Sequence, residues 1–269
     1  MKTNIIALLF AFAACQCAYA AEDVDPLRTK AKQGDAKAQC DLGDMYATGQ
    51  GVPKNDAEAV AWYRKAAEQG DANAQRDLGF MYTNGRGVPK NDAEAVAWYR
   101  KAAEQGDAVG QYNLGFMYAY GQGVPKNAAE AAVWYRKAAE QYRKAAEQGN
   151  TKAQYDLGRM YYYGLGMTKD YAEAMSWYRK AAEQGYSRAQ NELGYMYYYA
   201  LGAPKDEIEA LAWYYLAASN GYNYKYKSGG NDYNTIVDRE NVLGIRGRLL
   251  AQKRARELAA KIESRKSTK

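Results

Sequence analysis

The chain of 269 residues carries 37 basic and 31 acidic side chains and no histidine, so it lacks the commonest neutral-pH general base and the commonest metal ligand. Alanine, Glu, Gln, Lys and Arg dominate, β-branched residues are sparse and only five prolines interrupt the chain, a composition that favours helix nearly throughout. Tyrosine outnumbers phenylalanine 27 to four, an imbalance that returns at the candidate contact positions below.

Residues 1–20 read MKTNIIALLFAFAACQCAYA, with Lys2, an apolar run from Ile5 to Ala14, and Ala18-Tyr19-Ala20 ahead of Glu22-Asp23. That is the layout of a secretory signal peptide cleaved after Ala20. The apolar run is shorter than the roughly 20 residues of a membrane-spanning helix, so no transmembrane anchor is expected after cleavage. The expected location is the periplasm or the exterior. An outer-membrane lipoprotein acylated at Cys15 is the alternative, although Phe12 stands where such signals usually carry Leu. Cleavage removes Cys15 and Cys17 and leaves Cys40, which rules out an internal disulfide and a thiolate metal cluster. A single remaining cysteine is expected to be a small buried filler, with intermolecular pairing the alternative.

From Ala36 the chain repeats. AKAQCDLGDMYATGQG returns as ANAQRDLGFMYTNGRG from Ala72, AVGQYNLGFMYAYGQG from Ala108, TKAQYDLGRMYYYGLG from Thr151 and SRAQNELGYMYYYALG from Ser187. The offsets of 36, 36, 43 and 36 residues have the size of stacked supersecondary units, none of which buries its apolar stripe alone. Five units are expected, at 36–71, 72–107, 108–150, 151–186 and 187–221, preceded by a truncated cap at 21–35 and followed by a basic linker and capping helices at 222–269.

Each unit reads as two helices. In the first, Ala38, Leu42, Met45 and Tyr46 recur at helical spacing on one face of helix A, which also contains Gly43. A helix-interior glycine costs about 1 kcal/mol relative to alanine. Its return at Gly79, Gly115, Gly158 and Gly194 therefore predicts a backbone crossing too close for a Cβ. Gly49 suits a left-handed cap, and Asn55 stands three residues before Glu58, the capping pair of helix B. Ala59, Trp62, Tyr63, Ala66 and Ala67 supply the inner face of helix B, Gly70 ends it, and Asp71 caps the next helix A.

The 43-residue interval comes from a duplication. Tyr135–Gln141, YRKAAEQ, recurs unchanged as Tyr142–Gln148. Seven residues turn about 700°, some 20° short of two full turns. The third helix B should therefore run unbroken from about Ala128 to Gln148, about 10.5 Å longer than its counterparts, with a local change in superhelical path. Beyond Gly221 the pattern fails, and a last helical region from Thr235 is expected to bury Leu243, Leu250, Leu258 and Ile262.

The pattern A-x-A-Q-x-x-L-G-x-M-Y, G-x-G-V-P-K-[ND], E-A-x-x-W-Y-x-K-A-A-E-Q-G resembles the Sel1-like repeat, a relative of the tetratricopeptide repeat, and covers nearly everything from Leu27 to Gly221. Gly110, Ala200 and Ala203-Pro204 depart from it. The resemblance implies an all-α, right-handed superhelical solenoid of antiparallel helix pairs. It also implies a scaffold or adaptor for protein–protein contacts in the bacterial envelope or outside the cell, including host-interacting and toxin-neutralising immunity roles. It carries no catalytic residues, so no catalytic, metal or cofactor site is expected. The column Asp41, Asp77, Asn113, Asp156 and Glu192 is expected to be a solvated or cap-like structural feature, since catalytic carboxylates need a unique pocket.

Charge is uneven: residues 222–269 hold 12 basic and five acidic side chains, whereas 21–221 hold 24 and 26. No nucleic-acid read-out motif accompanies the basic tail, and an acidic partner or a solvated face is the expectation there. Positions that change among the repeats are free to meet a partner. Three such columns run at i, i+4 and i+8 along helix A: Cys40-Asp44-Thr48, Arg76-Phe80-Asn84, Tyr112-Phe116-Tyr120, Tyr155-Arg159-Tyr163 and Asn191-Tyr195-Tyr199. Arg76, Phe80, Tyr112, Phe116, Tyr120, Tyr155, Arg159, Tyr163, Tyr195 and Tyr199 are the candidate partner-binding residues, because aromatic and Arg side chains dominate hot spots. Filling the seam between repeats is the competing role for these rings. A protein is the expected partner, with a glycan or peptidoglycan strand the alternative ligand and a glycan-acting enzyme using acidic residues the remote one.

Overall fold

Short polar loops containing Gly and Pro cut the helical sequence into segments of a dozen residues, each with a capping residue ahead of it. In the structure, a computed structural model that describes residues 26–222, 225–228 and 231–266, those segments are helices. A first short helix, α1, covers residues 26–32. Helices A of the five repeats are α2 (Ala36–Thr48), α4 (Ala72–Asn84), α6 (Ala108–Tyr120), α8 (Thr151–Tyr163) and α10 (Ser187–Tyr198). Helices B are α3 (Asp56–Glu68), α5 (Asp92–Glu104), α7 (Ala128–Glu147), α9 (Tyr171–Glu183) and α11 (Glu207–Ser219). A hairpin of β1 (Lys225–Ser228) and β2 (Asn231–Asn234), antiparallel with Lys225 opposite Asn234, precedes α12 (Thr235–Lys266). Strands were not expected in this linker. The leader at residues 1–20 and the first part of the cap, 21–25, lie outside the described residues.

The helix ends follow the capping chemistry. The Asp35, Asp71, Asp107 and Asn150 side chains each accept a hydrogen bond from the third N–H of their helix A, and Gly49, Gly85, Gly121 and Gly164 close those helices in the left-handed conformation. Asn55 Oδ1 accepts from the N–H groups of Ala57 and Glu58, both at 3.1 Å. The reciprocal arm expected of the Asn55–Glu58 pair is not used: the Asn55 N–H donates to the Tyr46 carbonyl instead. The same bond recurs from Asn91 to Tyr82, Asn127 to Tyr118, Asp170 to Tyr161 and Asp206 to Tyr197, tying the start of each helix B to its own helix A.

The recurring glycine has a different collision partner from the one expected. A Cβ at Gly43, Gly79, Gly115, Gly158 or Gly194 would stand 2.6–2.9 Å from ring carbons of Tyr63, Tyr99, Tyr135, Tyr178 or Tyr214 respectively. An aromatic ring from helix B, not a crossing backbone, fills the space that glycine leaves.

Successive repeats are joined by two further ladders. Gln75, Gln111, Gln154 and Gln190 donate from Nε2 to the carbonyls of Ala67, Ala103, Ala146 and Ala182 on the preceding helix B. Arg64, Arg100, Arg143 and Arg179 donate to the hydroxyls of Tyr82, Tyr118, Tyr161 and Tyr197 on the following helix A. Helix α1 makes the same contacts with the first repeat, through Ala31 O to Gln39 and Arg28 to the Tyr46 hydroxyl. Helix α1 thus stands toward the first repeat where the end of a preceding helix B stands toward the later ones.

Helix α7 is continuous over 20 residues, seven more than the other B helices, as the duplication predicts. The chain divides into two compact units between Ala138 and Ala139, inside this helix. Within the first unit Tyr135, from the first heptad copy, packs on Gly115. Within the second, Arg143 and Ala146 from the second copy hold α8.

Helix α11 is apolar nearly all round, with Leu211, Trp213, Tyr214 and Leu216 buried, and it packs against both α10 and α12. Glu209 accepts from Trp213 Nε1 and pairs with Arg254 of α12. Helix α12 is broken at Gly244 (φ 65°, ψ −174°). Among the described residues its buried side chains are Ala251, Ala255, Leu258 and Ile262; Leu243 is half-buried and Leu250 exposed. Alanines took the place expected of larger residues because α11 already presents bulk to this seam.

Candidate contact face on the A helices

Each step of four residues on a helix turns the side chain about 40° further round the axis. Positions i, i+4 and i+8 therefore sweep across some 80° instead of forming one row, and burial follows that sweep. The first column, Cys40, Arg76, Tyr112, Tyr155 and Asn191, is buried or half-buried. The last column, Thr48, Asn84, Tyr120, Tyr163 and Tyr199, is exposed throughout, with Tyr120 65%, Tyr163 60% and Tyr199 51% accessible. The middle column is mixed, Phe80 being 45% and Tyr195 37% exposed while Phe116 and Arg159 are half-buried. Exposure thus differs from column to column, the first packing inward and the last facing solvent. Cys40 is a buried filler, and burial pushes its thiol pKa upward.

In the first unit the rings form a defined hollow. Phe80, Thr83 and Asn84 of α4, Tyr99 of α5, and Tyr112, Asn113, Phe116 and Met117 of α6 line a space of about 230 Å³. Phe116 stacks on Tyr120 at 4.5 Å between ring centroids, and Tyr112 meets Tyr135 at 5.5 Å. Tyr99 reaches the hollow only because Gly79 lets its ring lie across α4, which delivers its hydroxyl to Thr83 Oγ1 at 3.2 Å. Burial is the main cause that pushes the Tyr99 pKa up to about 12, so the hydroxyl stays protonated. Tyr63 uses the same route one repeat earlier and donates to Asp44 Oδ1 at 2.6 Å.

Charges border this hollow unevenly. Arg76 holds Asp77 through two bonds of 2.8 Å and reaches Asp107 at 3.3 Å. Lys37 pairs with Asp41. Asp44 has the Tyr63 hydroxyl and no ion pair among the described residues; burial raises its pKa, the Tyr63 bond opposes this, Asp77 adds to the rise and Arg76 opposes it. Along the acidic column solvation varies, the Asp41 side chain being 43% accessible and that of Asp77 24%. Asp156 and Glu192 are half-buried, and in both burial pushes the pKa upward against the pull of Arg159, with Lys152 also opposing at Asp156.

In the second unit, tyrosines gather in close pairs. Tyr195 and Tyr199 lie 4.5 Å apart between centroids, Tyr198 and Tyr199 4.9 Å, and Tyr162 packs on Tyr163 and Tyr171 at 4.8 and 5.1 Å. Tyr155 sits between Tyr178 and Tyr186. Thr83, Asn113, Tyr99 and Met117 were missed in the sequence reading. Tyr99 belongs to a column that never varies, and it touches the hollow only through three-dimensional packing. Among the described residues no group of His, Cys, Asp or Glu forms a metal site, and no helix is long and apolar enough to cross a membrane.

Stacked helix pairs with an exposed, variable aromatic face and an invariant glycine–tyrosine interior define an α-solenoid interaction scaffold. The Sel1 repeat pattern matches residues 36–71, 72–107, 108–141, 142–150, 151–186 and 187–222, breaking in the third repeat where the second heptad copy begins. The chain belongs to the Sel1 repeat family, whose members are protein-interaction scaffolds. It is 35% identical to a Sel1 repeat protein of Oxalobacter formigenes, over 91% of this chain and 95% of that one, with a TM-score of 0.58. It also matches a protective antigen of uropathogenic Escherichia coli strains (29% identity, 90% and 72% of the two chains, TM-score 0.42). A third match is an immunity protein of Pseudomonas aeruginosa (24%, 75% and 74%, TM-score 0.49). No curated protein sequence matches the chain.

Proposed function

We propose that the protein is an exported scaffold in which each unit presents the exposed part of its own A-helix face to a partner protein. The observation that carries this is the accessibility of Phe80, Tyr120, Tyr163 and Tyr199, large rings at positions the repeat architecture does not need for packing. Aromatic side chains offer wide contact area with few rotamers to freeze, which suits them to hot spots. The leader-like residues 1–20 support periplasmic or extracellular delivery, and intact mass of the native product tests it. A chain beginning at Ala21 is expected; a diacylated Cys15 would establish the lipoprotein form.

Affinity capture from the native envelope or from host extract, repeated with Phe80→Ala, Tyr120→Ala, Tyr163→Ala and Tyr199→Ala, tests the contact face. Loss of a captured protein with unchanged helicity and unfolding midpoint is the expected result. A glycan strand is a second reading, favoured by the tyrosine-only cluster around Tyr195 and Tyr199 in the second unit. It requires that a soluble glycan displace the partner or shift the Tyr199 ring resonances.

A further inference from the structure

The hollow of the first unit has features that narrow the partner's chemistry, given the protein-binding reading above. Its volume of about 230 Å³ falls below the roughly 300–1,000 Å³ of small-molecule pockets, which suits one side chain of a larger ligand. Its walls are Phe80, Phe116, Tyr112 and the buried thioether of Met117. The polar rim includes Asn113, the one amide in a column that is otherwise acidic: Asp41, Asp77, Asp156 and Glu192. A primary amide donates and accepts, and can pair with both halves of a peptide group.

Negative charge is in excess beside this rim. Arg76 is bonded to Asp77 and Asp107 and Lys37 to Asp41; Asp44 makes no ion pair among the described residues, feels Asp77 more than Arg76, and keeps its outer face toward solvent. Asp44 occupies the same repeat position as Phe80 and Phe116, 36 residues apart in each step, which puts its carboxylate on the far side of Phe80 from Phe116. Arg86, which approaches the Phe80 ring at 6.0 Å, is itself held by Asp56.

We propose that the hollow captures an apolar side chain from an extended, cationic segment of the partner protein, with Asn113 on the segment's backbone and Asp44 facing a flanking Lys or Arg.

The mature chain with ¹³C-labelled methionine methyls provides the test, since Met117 forms part of the hollow's wall and Met117→Leu assigns its signal. The probe is acetyl-Gly-Lys-Phe-Arg-Gly-amide. Two controls replace its Lys and Arg by Glu, or its Phe by Gly. The cationic Phe peptide should shift the Met117 methyl saturably, and the acidic and Phe-less peptides should bind at least tenfold more weakly. Asp44→Asn keeps an acceptor for Tyr63 and should weaken the cationic peptide about three- to fivefold at low salt without weakening the acidic one. Phe80→Ala, at a half-exposed site, should abolish the shift while circular dichroism and the unfolding midpoint confirm the fold. Equal binding of the acidic peptide, or no Met117 response at millimolar peptide, overturns the proposal. The broader reading fails separately: native-partner capture indifferent to Phe80→Ala, Tyr120→Ala and Tyr163→Ala alike would refute it, even with a positive peptide result. Capture that depends on Phe80 and not on Asp44, with no methyl response, would keep the scaffold and remove the cationic segment.

Discussion

The second and third repeats share nearly every structural residue and differ by seven inserted ones, and the difference separates two jobs that helix B otherwise does with one set of residues. In the second repeat a single YRKAAEQ both packs Tyr99 on Gly79 of its own helix A and presents Arg100 and the Ala103 carbonyl to the next repeat. In the third, Tyr135 of the first copy does the former, and Arg143 and Ala146 of the second copy do the latter. Two helical turns separate the copies, so both sets face inward: Tyr135, Ala138, Tyr142 and Ala146 are all buried. The insertion has one visible cost. Gln39, Gln75 and Gln154 accept on Oε1 from Gln69, Gln105 and Gln184 at the end of their own helix B, and Gln190 accepts from Asn220. Gln111 Oε1 is buried without a partner among the described residues.

The largest test removes the ring common to both repeats. Tyr99→Ala should cost about 3–5 kcal/mol, the range for deleting a buried aromatic, and should empty the floor of the hollow. Chemical denaturation measures it, and a loss below about 1 kcal/mol would show that the glycine–tyrosine contact is not what holds a helix pair together. Deleting Tyr142–Gln148 restores the 36-residue spacing and lets a helix-ending Gln face Gln111. Recovery of that buried acceptor is worth about 1–3 kcal/mol, so the shortened chain should fold cooperatively with a higher unfolding midpoint. A broadened or lower transition would mean the second heptad has become necessary to the repeats around it.

Two smaller changes probe departures from the repeat. Ala200 replaces the loop glycine of the fifth repeat and holds φ 56°, where an L side chain is disfavoured by roughly 1–2 kcal/mol. Ala200→Gly should therefore stabilise by about 1 kcal/mol or somewhat less, after the extra chain entropy of glycine; thermal unfolding reads it, and no gain would locate the strain elsewhere. Arg86 clasps Asp56 across the first two repeats, but Gln122 stands at the matching position opposite Asp92, whose Oδ1 is buried and unpaired. Gln122→Arg should add about 0.5–1 kcal/mol, as half-exposed ion pairs do, and the gain should shrink in high salt.

The least effect at neutral pH is Asp156→Asn. Because burial raises the folded pKa of Asp156, the folded state binds its proton more readily than the unfolded state. That stability is present below the unfolded value of about 3.9 and is lost as pH rises through the folded value. The asparagine variant should be more stable than the parent at pH 7, and the advantage should vanish on acidification. An advantage independent of pH would rule out the carboxylate as its source.

Much of this was legible in the residues themselves. Periodicity placed ten helices, Asp, Asn and Gly marked their ends, and the exact recurrence of YRKAAEQ predicted an unbroken α7, because capping, helical phase and heptad geometry act over a few residues. The glycine column announced a close contact, but not with what. Its partner is a tyrosine some 20 residues away whose position depends on how two helices cross. Division of the aromatic columns into seam and surface was likewise decided by tertiary structure. A 40° drift per step is present in any helix, yet which end of the sweep meets a neighbour is set by stacking. The linker hairpin had no periodic signal, and the cap was misread because Ala251 and Ala255, which share one helix face with Leu258 and Ile262, are less apolar than the neighbouring Leu250. The hollow combines both levels: Phe80, Tyr112 and Phe116 stood out because they vary from copy to copy, whereas Tyr99, identical in type to its counterparts, became part of the same surface only when a missing Cβ let its hydroxyl through.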